Sequence, residues 1–474
     1  MEYTYPKSTP IPFPAHRGIV FRRAFGGIAA TGIGTIAAVA LIPKDPEPAG
    51  ALFESALVMS AGLMLVPIVA AIRYRKSLLR GEHLLALSPI YWLLLDLLQG
   101  TFSMDKIDPE EITKAFIGIG LFIAMVWLGT VNRAWRFPSG IIRSVSQDFP
   151  PNIYFGLAVA SFLLGMLKFA IPCNFNVVEM FHYVGEARWS APWTRGQLGG
   201  SDAFLDHLQY FGYLVPILGI VVSRRLGWRR PQTLTCLAMA MIMTLFLAQS
   251  GSRRVIGVVF GMALVLWVHS QQHLRLRHAI AFTVAVVSLL AALQIMIAYR
   301  NVGLAAFLEG GDEQAVQQQQ YIHVDDNFYR LCQVIQLIPN YYTYVYHKYV
   351  LYVLVRPIPR VLWDGKPADP GFDLTTALGG EGVSYSYSVV GELYMSLGFL
   401  GVALGGWLYG RLAAMLNGLL TQCNTFGALV IYSILVMALF SGMRSILELI
   451  LVSYAMLAWV GLSRMFTNLQ RRAY

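Results

Sequence analysis

The feature that most constrains this chain is the recurrence of apolar runs about twenty residues long, each sufficient to carry a helix across the hydrocarbon of a bilayer. They lie near 24–43, 51–72, 83–100, 112–131, 153–172, 207–223, 231–249, 255–270, 278–298, 388–410, 426–442 and 445–463. In lipid a spanning segment must satisfy its own backbone, so an all-α integral membrane protein is expected, a polytopic bundle of about 12 transmembrane helices. The third run contains Pro89 and Asp96 and is expected to bend or re-enter. Composition agrees, since 56% hydrophobic and 13% charged residues would leave a soluble chain of 474 residues short of polar surface. The first run follows a basic segment and is long enough to span, which reads as a retained signal anchor.

The net charge of +10 is not a nucleic-acid footprint, because the cations sit in short clusters between apolar runs instead of forming one stripe. Cytoplasmic loops of membrane proteins carry the excess of Lys and Arg, and the loops sort accordingly. Of the 36 cations, 21 fall on one side: Lys7 to Arg23, Arg73 to Arg80, Arg133 to Arg143, Arg224 to Arg230, Arg275 and Arg277, Arg411, and Arg464 to Arg472. Both termini are therefore expected in the cytoplasm. The implied organisation is a cytoplasmic segment over 1–23, nine spans over 24–299, a large periplasmic loop over 300–386, and three spans with a cytoplasmic tail over 387–474. That loop opens with a polar stretch, Glu309 to Gln320, expected to be mobile. From Phe328 to Trp363 it turns aromatic and apolar, which suggests helices in or near the interface.

Cations on the disfavoured side stand out against this bias. Gln249-Ser250-Gly251-Ser252-Arg253-Arg254 is a short extracytoplasmic turn with two adjacent guanidinium groups. Arginine suits a diphosphate, since its planar fork donates paired hydrogen bonds and stays charged, although a lipid-head-group anchor explains the same pair. Arg356-Pro357-Ile358-Pro359-Arg360, running on to Lys366-Pro367, spaces three cations along a stiff segment. Tyr341, Tyr342, Tyr344, Tyr346, Tyr349 and Tyr352 could stack on sugar faces, but an interfacial aromatic belt needs fewer assumptions. Asp325 and Asp326 lack any definitive ligand spacing, so no metal is expected. Glu392, in Gly391-Glu392-Leu393-Tyr394 at the outer end of the tenth span, is the candidate general base, the alternative being a structural partner for an arginine. Cys173, Cys236, Cys332 and Cys423 form no CxxC. Cys173 and Cys332 fall in loops on the same side and are the one pair that could bridge.

The Gly251-Ser252-Arg253 turn, the Arg356-to-Pro367 segment, and Gly391-Glu392-Leu393-Tyr394 with Gly398 and Gly401 resemble the Wzy-type polysaccharide polymerases of bacterial O-antigen and exopolysaccharide pathways. The resemblance covers roughly residues 235 to 410. It implies a membrane glycosyltransferase that moves a growing glycan from undecaprenyl diphosphate onto a lipid-linked oligosaccharide repeat unit at the periplasmic face of the inner membrane. It implies no cofactor and no nucleic acid. The partners it implies are the lipid-linked oligosaccharide, membrane lipids, and flippase and chain-length regulator proteins. The resemblance assigns catalysis to Glu392, Arg254 and Arg360. Diphosphate binding falls to Arg253, Arg254, Arg356 and Arg360, with Arg300, Arg330, Lys366 and Arg444 behind them, and glycan binding to Tyr341, Tyr342 and Tyr344. Rival readings are an O-antigen ligase, a transporter, against which stands the lack of an evident pair of broken helices, and a non-catalytic scaffold.

Overall fold

The computed structural model describes residues 17–131, 135–145, 148–194, 202–249, 253–271, 273–299, 302–309, 322, 324–356, 358, 363, 365–367, 370–380, 385–423 and 425–473. Arg300, Arg360 and the stretch 310–321 lie outside them. Among the described residues the chain is helical, without strands. The long helices are α1 (Arg17–Ala40), α2 (Phe53–Arg73), α3 (Gly81–Pro89), α4 (Pro109–Val131), α5 (Pro151–Ala170), α6 (Asp202–Leu226), α7 (Pro231–Gln249), α8 (Arg253–Ser270) and α9 (Leu276–Tyr299). After them come α10 (Asn327–Leu337), α11 (His347–Val355), α12 (Ser388–Gln422), α13 (Phe426–Ser441) and α14 (Ile446–Ala473).

Ten of these helices are long and apolar enough to cross a membrane, which makes this a multi-pass membrane protein. The other two expected spans appear in reduced form. α13 is a shorter apolar helix, and α3 continues through a π-helical stretch, Ile90–Leu94, into Leu95–Leu98. Proline at position 89 removes one donor from the ladder, and the wider π turn absorbs the mismatch without breaking the helix. The expected bend is thus a π turn. Outward-facing positions such as Ile36, Ile72, Met241, Val284 and Leu400 are exposed and apolar, the reverse of a soluble surface.

Loop contacts sort into two ends, as alternate crossings require. At the basic end Arg75 donates to the Leu274 carbonyl, Lys76 to those of His269 and Gln271, and Arg224 to that of Ser270. There too Arg80 pairs with Glu82 at 2.6 Å, and Asn417 bridges Glu82 to the Gly81 N–H. At the opposite end, which we call the loop end, Gln99 exchanges two hydrogen bonds with the Ile322 backbone, and Tyr329 donates to the Asp105 carbonyl.

The long loop is built into this end. α10 buries Phe328, Leu331, Cys332, Val334 and Ile335, with Phe328 against Phe116 of α4. Asn327 donates to the Trp92 carbonyl inside the π stretch of α3. The aromatic part of the loop thus packs into the helix bundle as well as covering its end. Cys173 and Cys332 are both buried free thiols, so the bridge considered between them is not formed. Cys332 is occupied in the core of α10, beside Leu331 and Val334.

α12 is interrupted where the loop meets it. Leu397 and Gly398 leave helical geometry, and Gly398 has φ +62°, a conformation costly for any residue with a Cβ. Breaking the ladder frees carbonyls of the preceding turn. Val345 and Tyr346 of the loop donate their N–H groups to the Met395 and Ser396 oxygens at 2.9 and 3.1 Å. Gly398 is therefore the break that lets a loop segment hydrogen-bond to a spanning helix.

Candidate functional site: an arginine and carboxylate cluster at the loop end

The site begins at the start of α8, four positions after the last residue of α7, and at the turn that joins α13 to α14. Arg253 and Arg254 start α8, and Arg444 sits just before α14. Arg444 donates from Nε to Asp325 Oδ2 at 2.6 Å, with Nη1 3.9 Å from Glu448 Oε1. The same Glu448 oxygen holds Arg254 Nη1 at 2.7 Å. Arg253 Nη2 donates to the Val324 carbonyl, one residue before Asp325. Three distant stretches of sequence thus meet in a chain of alternating charge, Arg254 to Glu448 to Arg444 to Asp325.

Arg254 and Arg444 are each held by part of the fork only. A carboxylate that grips one or two N–H groups fixes the plane of the fork and leaves other donors available, which pre-organises the group for a second anion. Exposure differs along the chain: the side chain of Arg254 is 39% accessible and that of Asp325 30%, against 18% for Arg444 and 11% for Glu448. Arg254 and Asp325 form the open lip and Arg444 the floor. Burial disfavours the Arg444 cation, but Asp325, supported by Glu448 and Glu392, outweighs this and its pKa is raised.

Glu392 lies beside this chain. Its carboxylate accepts from Ser445 Oγ at 2.6 Å and from the Ile446 N–H at 2.7 Å, the first backbone donor of α14, and the Tyr349 hydroxyl also donates to it. It caps α14 and fixes the turn that carries Arg444. No arginine lies within ion-pair distance of it among the described residues.

The remaining expected residues divide. Arg330 is held by Asp326 at 2.6 Å and by Gln333, and lies 3.7 Å over the Tyr385 ring. Lys366 is buried and donates to the Arg356 and Ile358 carbonyls, which ties those two residues together. Arg356 contacts Tyr352 and approaches Tyr454 of α14. Convergence of Arg254 with Arg360 on one diphosphate concerns a residue outside the described set. Among the tyrosines, Tyr341 and Tyr342 are exposed, Tyr344 packs against Gly398, and Tyr349 is buried on Glu392. Asp325 and Asp326 turn to different arginines, Arg444 and Arg330.

Glu448 and Ser445 are site residues that sequence reading passed over. The signal was present, since a carboxylate in the first turn of an apolar helix is costly without a partner. Nothing local named that partner as Arg254. No family model matches the sequence, and neither a curated protein nor a solved structure is significantly similar to it.

Proposed function

We propose that the chain is a twelve-span inner-membrane glycosyltransferase, with both termini in the cytoplasm and the arginine and carboxylate cluster facing the periplasm. It polymerises oligosaccharide repeat units carried on undecaprenyl diphosphate. The observation that carries this reading is the meeting of Arg254 and Arg444 through Glu448 at the end where charge bias disfavours cations. In the reaction, a sugar hydroxyl of one lipid-linked unit attacks the anomeric carbon of another, the glycosidic bond forms, and the bond to the lipid diphosphate breaks. Negative charge then develops on the diphosphate, where Arg254 and Arg444 stabilise it. We assign the proton of the attacking hydroxyl to Asp325, the most open carboxylate of the cluster, because the Glu392 oxygens are engaged in capping α14. Tyr341 and Tyr342 offer exposed rings for the glycan.

Purified protein given a lipid-linked repeat unit should release undecaprenyl diphosphate in step with chain growth, and a deletion strain should accumulate single lipid-linked units. Unchanged glycan length in that strain would end the proposal. Orientation is checked separately. Alkaline phosphatase fused after Leu308 should be active and after Gln422 inactive, and the opposite pattern would invert the topology. A transporter is the reading that the break at Leu397 and Gly398 favours, since interrupted helices line many substrate paths. It predicts passage of lipid-linked units across vesicles without any new glycosidic bond.

A further inference from the structure

The basic end of α12 carries an arginine whose surroundings none of the above explains. Arg411 is only 7% exposed, and its Nε and Nη1 are sealed without a hydrogen-bond partner. No carboxylate pairs with it among the described residues. Instead its guanidinium lies 5.0 Å from the ring of Trp135 and 5.7 Å from that of Trp407, two indoles set edge to face at 6.2 Å. Aromatic faces attract a cation but accept none of the five N–H donors of a guanidinium in the way an oxygen does. A buried arginine so placed lacks both a counter-charge and acceptors, a combination that folded proteins rarely leave unmet.

Its position along the helix says what meets them. Arg411 precedes Asn417, which is held to Gly81 and Glu82 at the basic end, by six residues of unbroken helix, about 9 Å at 1.5 Å per residue. Its backbone lies against Gly129, two residues before the end of α4, so it stands where the hydrocarbon gives way to the head groups of the leaflet on the basic side. Leu400, Leu404 and Leu408 are 62%, 49% and 44% exposed and lie on the face of α12 that leads to Arg411, at spacings of four, four and three residues. Leu128, near the end of the adjoining α4, is exposed as well. An apolar stripe facing lipid thus ends at an unpaired cation at phosphate depth. Trp135, which covers that cation, is 40% exposed on a segment outside the helices, and Nη2 is the one guanidinium nitrogen not sealed.

We propose that Arg411, flanked by Trp135 and Trp407, binds the phosphate of a membrane phospholipid in the leaflet opposite the arginine and carboxylate cluster, with an acyl chain lying along Leu408, Leu404 and Leu400. The phosphate supplies the missing charge and an acceptor for Nη2, the guanidinium nitrogen that is not sealed, and the indoles bracket the head group. This site does not depend on the glycosyltransferase reading, and its test uses no turnover.

The full-length chain in detergent is titrated with dioleoylphosphatidylglycerol and the bound lipid counted by native mass spectrometry. Wild type should hold one lipid at least about 10-fold more tightly than Arg411→Gln. Arg411→Lys, which keeps the charge and loses the fork, should fall between them. Equal retention by wild type and either variant would overturn the proposal, so it stays testable if the Gln variant does not fold. Millimolar inorganic phosphate should leave the bound lipid in place. Displacement of the lipid by phosphate alone would assign the site to a soluble anion and also overturn it.

Discussion

Replacing Arg254 by Ala should cut turnover about 100-fold to 1000-fold while leaving the protein folded and at normal abundance in the membrane. The separation rests on where the side chain sits. Arg254 is 39% accessible and holds Glu448 with one nitrogen, and an ion pair this open contributes about 0–1 kcal/mol to stability. Glu448 would keep Arg444 3.9 Å away, so its charge would not be stranded. What the variant loses is a fixed donor at the lip, where leaving-group charge develops. Arg254→Lys should recover part of the rate, since it keeps the charge without the fork.

Arg444→Ala is the contrasting case. Its side chain is 18% accessible and loses a charge-assisted bond to Asp325, itself 30% accessible and partly solvated, so destabilisation of about 1–3 kcal/mol is expected and reduced abundance should accompany any loss of activity. Glu392→Gln discriminates between roles. A glutamine oxygen can still accept from Ile446, so a cap survives and turnover should stay within a few-fold of wild type. Asp325→Asn should lower turnover sharply with little change in binding of the lipid-linked unit. If Glu392→Gln abolished turnover in well-folded protein while Asp325→Asn did not, the proton acceptor would return to Glu392. Wild-type turnover by a well-folded Arg254→Ala would remove the diphosphate site altogether.

The second large effect concerns folding. A methyl group at Gly410 would stand 2.1 Å from the Val126 carbonyl oxygen, and one at Gly406 2.4 Å from that of Phe122. Both obstacles are backbone and cannot rotate away. α4 and α12 therefore touch along Gly406-Trp407-Leu408-Tyr409-Gly410, the close approach by which small residues let membrane helices pack without a hydrophobic driving force between them. Gly410→Ala should force the helices apart at a cost of about 3 kcal/mol, the upper range for overpacking, and lower the melting temperature of the solubilised protein by several degrees. Gly418→Ala in the same helix is the control. Its nearest neighbour would be the flexible end of Gln422 at 3.5 Å, so the usual preference of helices for Ala over Gly should leave stability unchanged or raise it by up to about 1 kcal/mol. Equal melting of wild type and Gly410→Ala would show that the two backbones do not meet there.

Much of this protein is determined by sequence alone, because insertion in lipid is decided locally. Twenty consecutive residues either can satisfy their backbone as a helix and face hydrocarbon or cannot, and ten helices were legible on that ground, although α12 and α14 run about ten residues beyond the apolar runs that marked them. The bias of cations separated the loops into two groups that meet each other in space, as the contacts of Arg75, Lys76 and Arg224 show at one end. Local chemistry also marked Arg253, Arg254 and Glu392 as charges requiring an explanation.

Which explanation each received was decided only by tertiary structure. A charge at a helix end is satisfied by whatever the bundle brings to it, and partners here come from far along the chain: Glu448 for Arg254, Asp325 for Arg444, and the start of α14 for Glu392. The same holds for Gly398, which was legible as part of a motif but joins loop to helix only because Val345 and Tyr346 take up the carbonyls exposed by the break. Hydropathy is a property of a window of sequence, so it could be read one run at a time. Pairing of buried charges is a property of the packed bundle, where the cost of leaving a group unpaired couples residues that sequence keeps about two hundred positions apart.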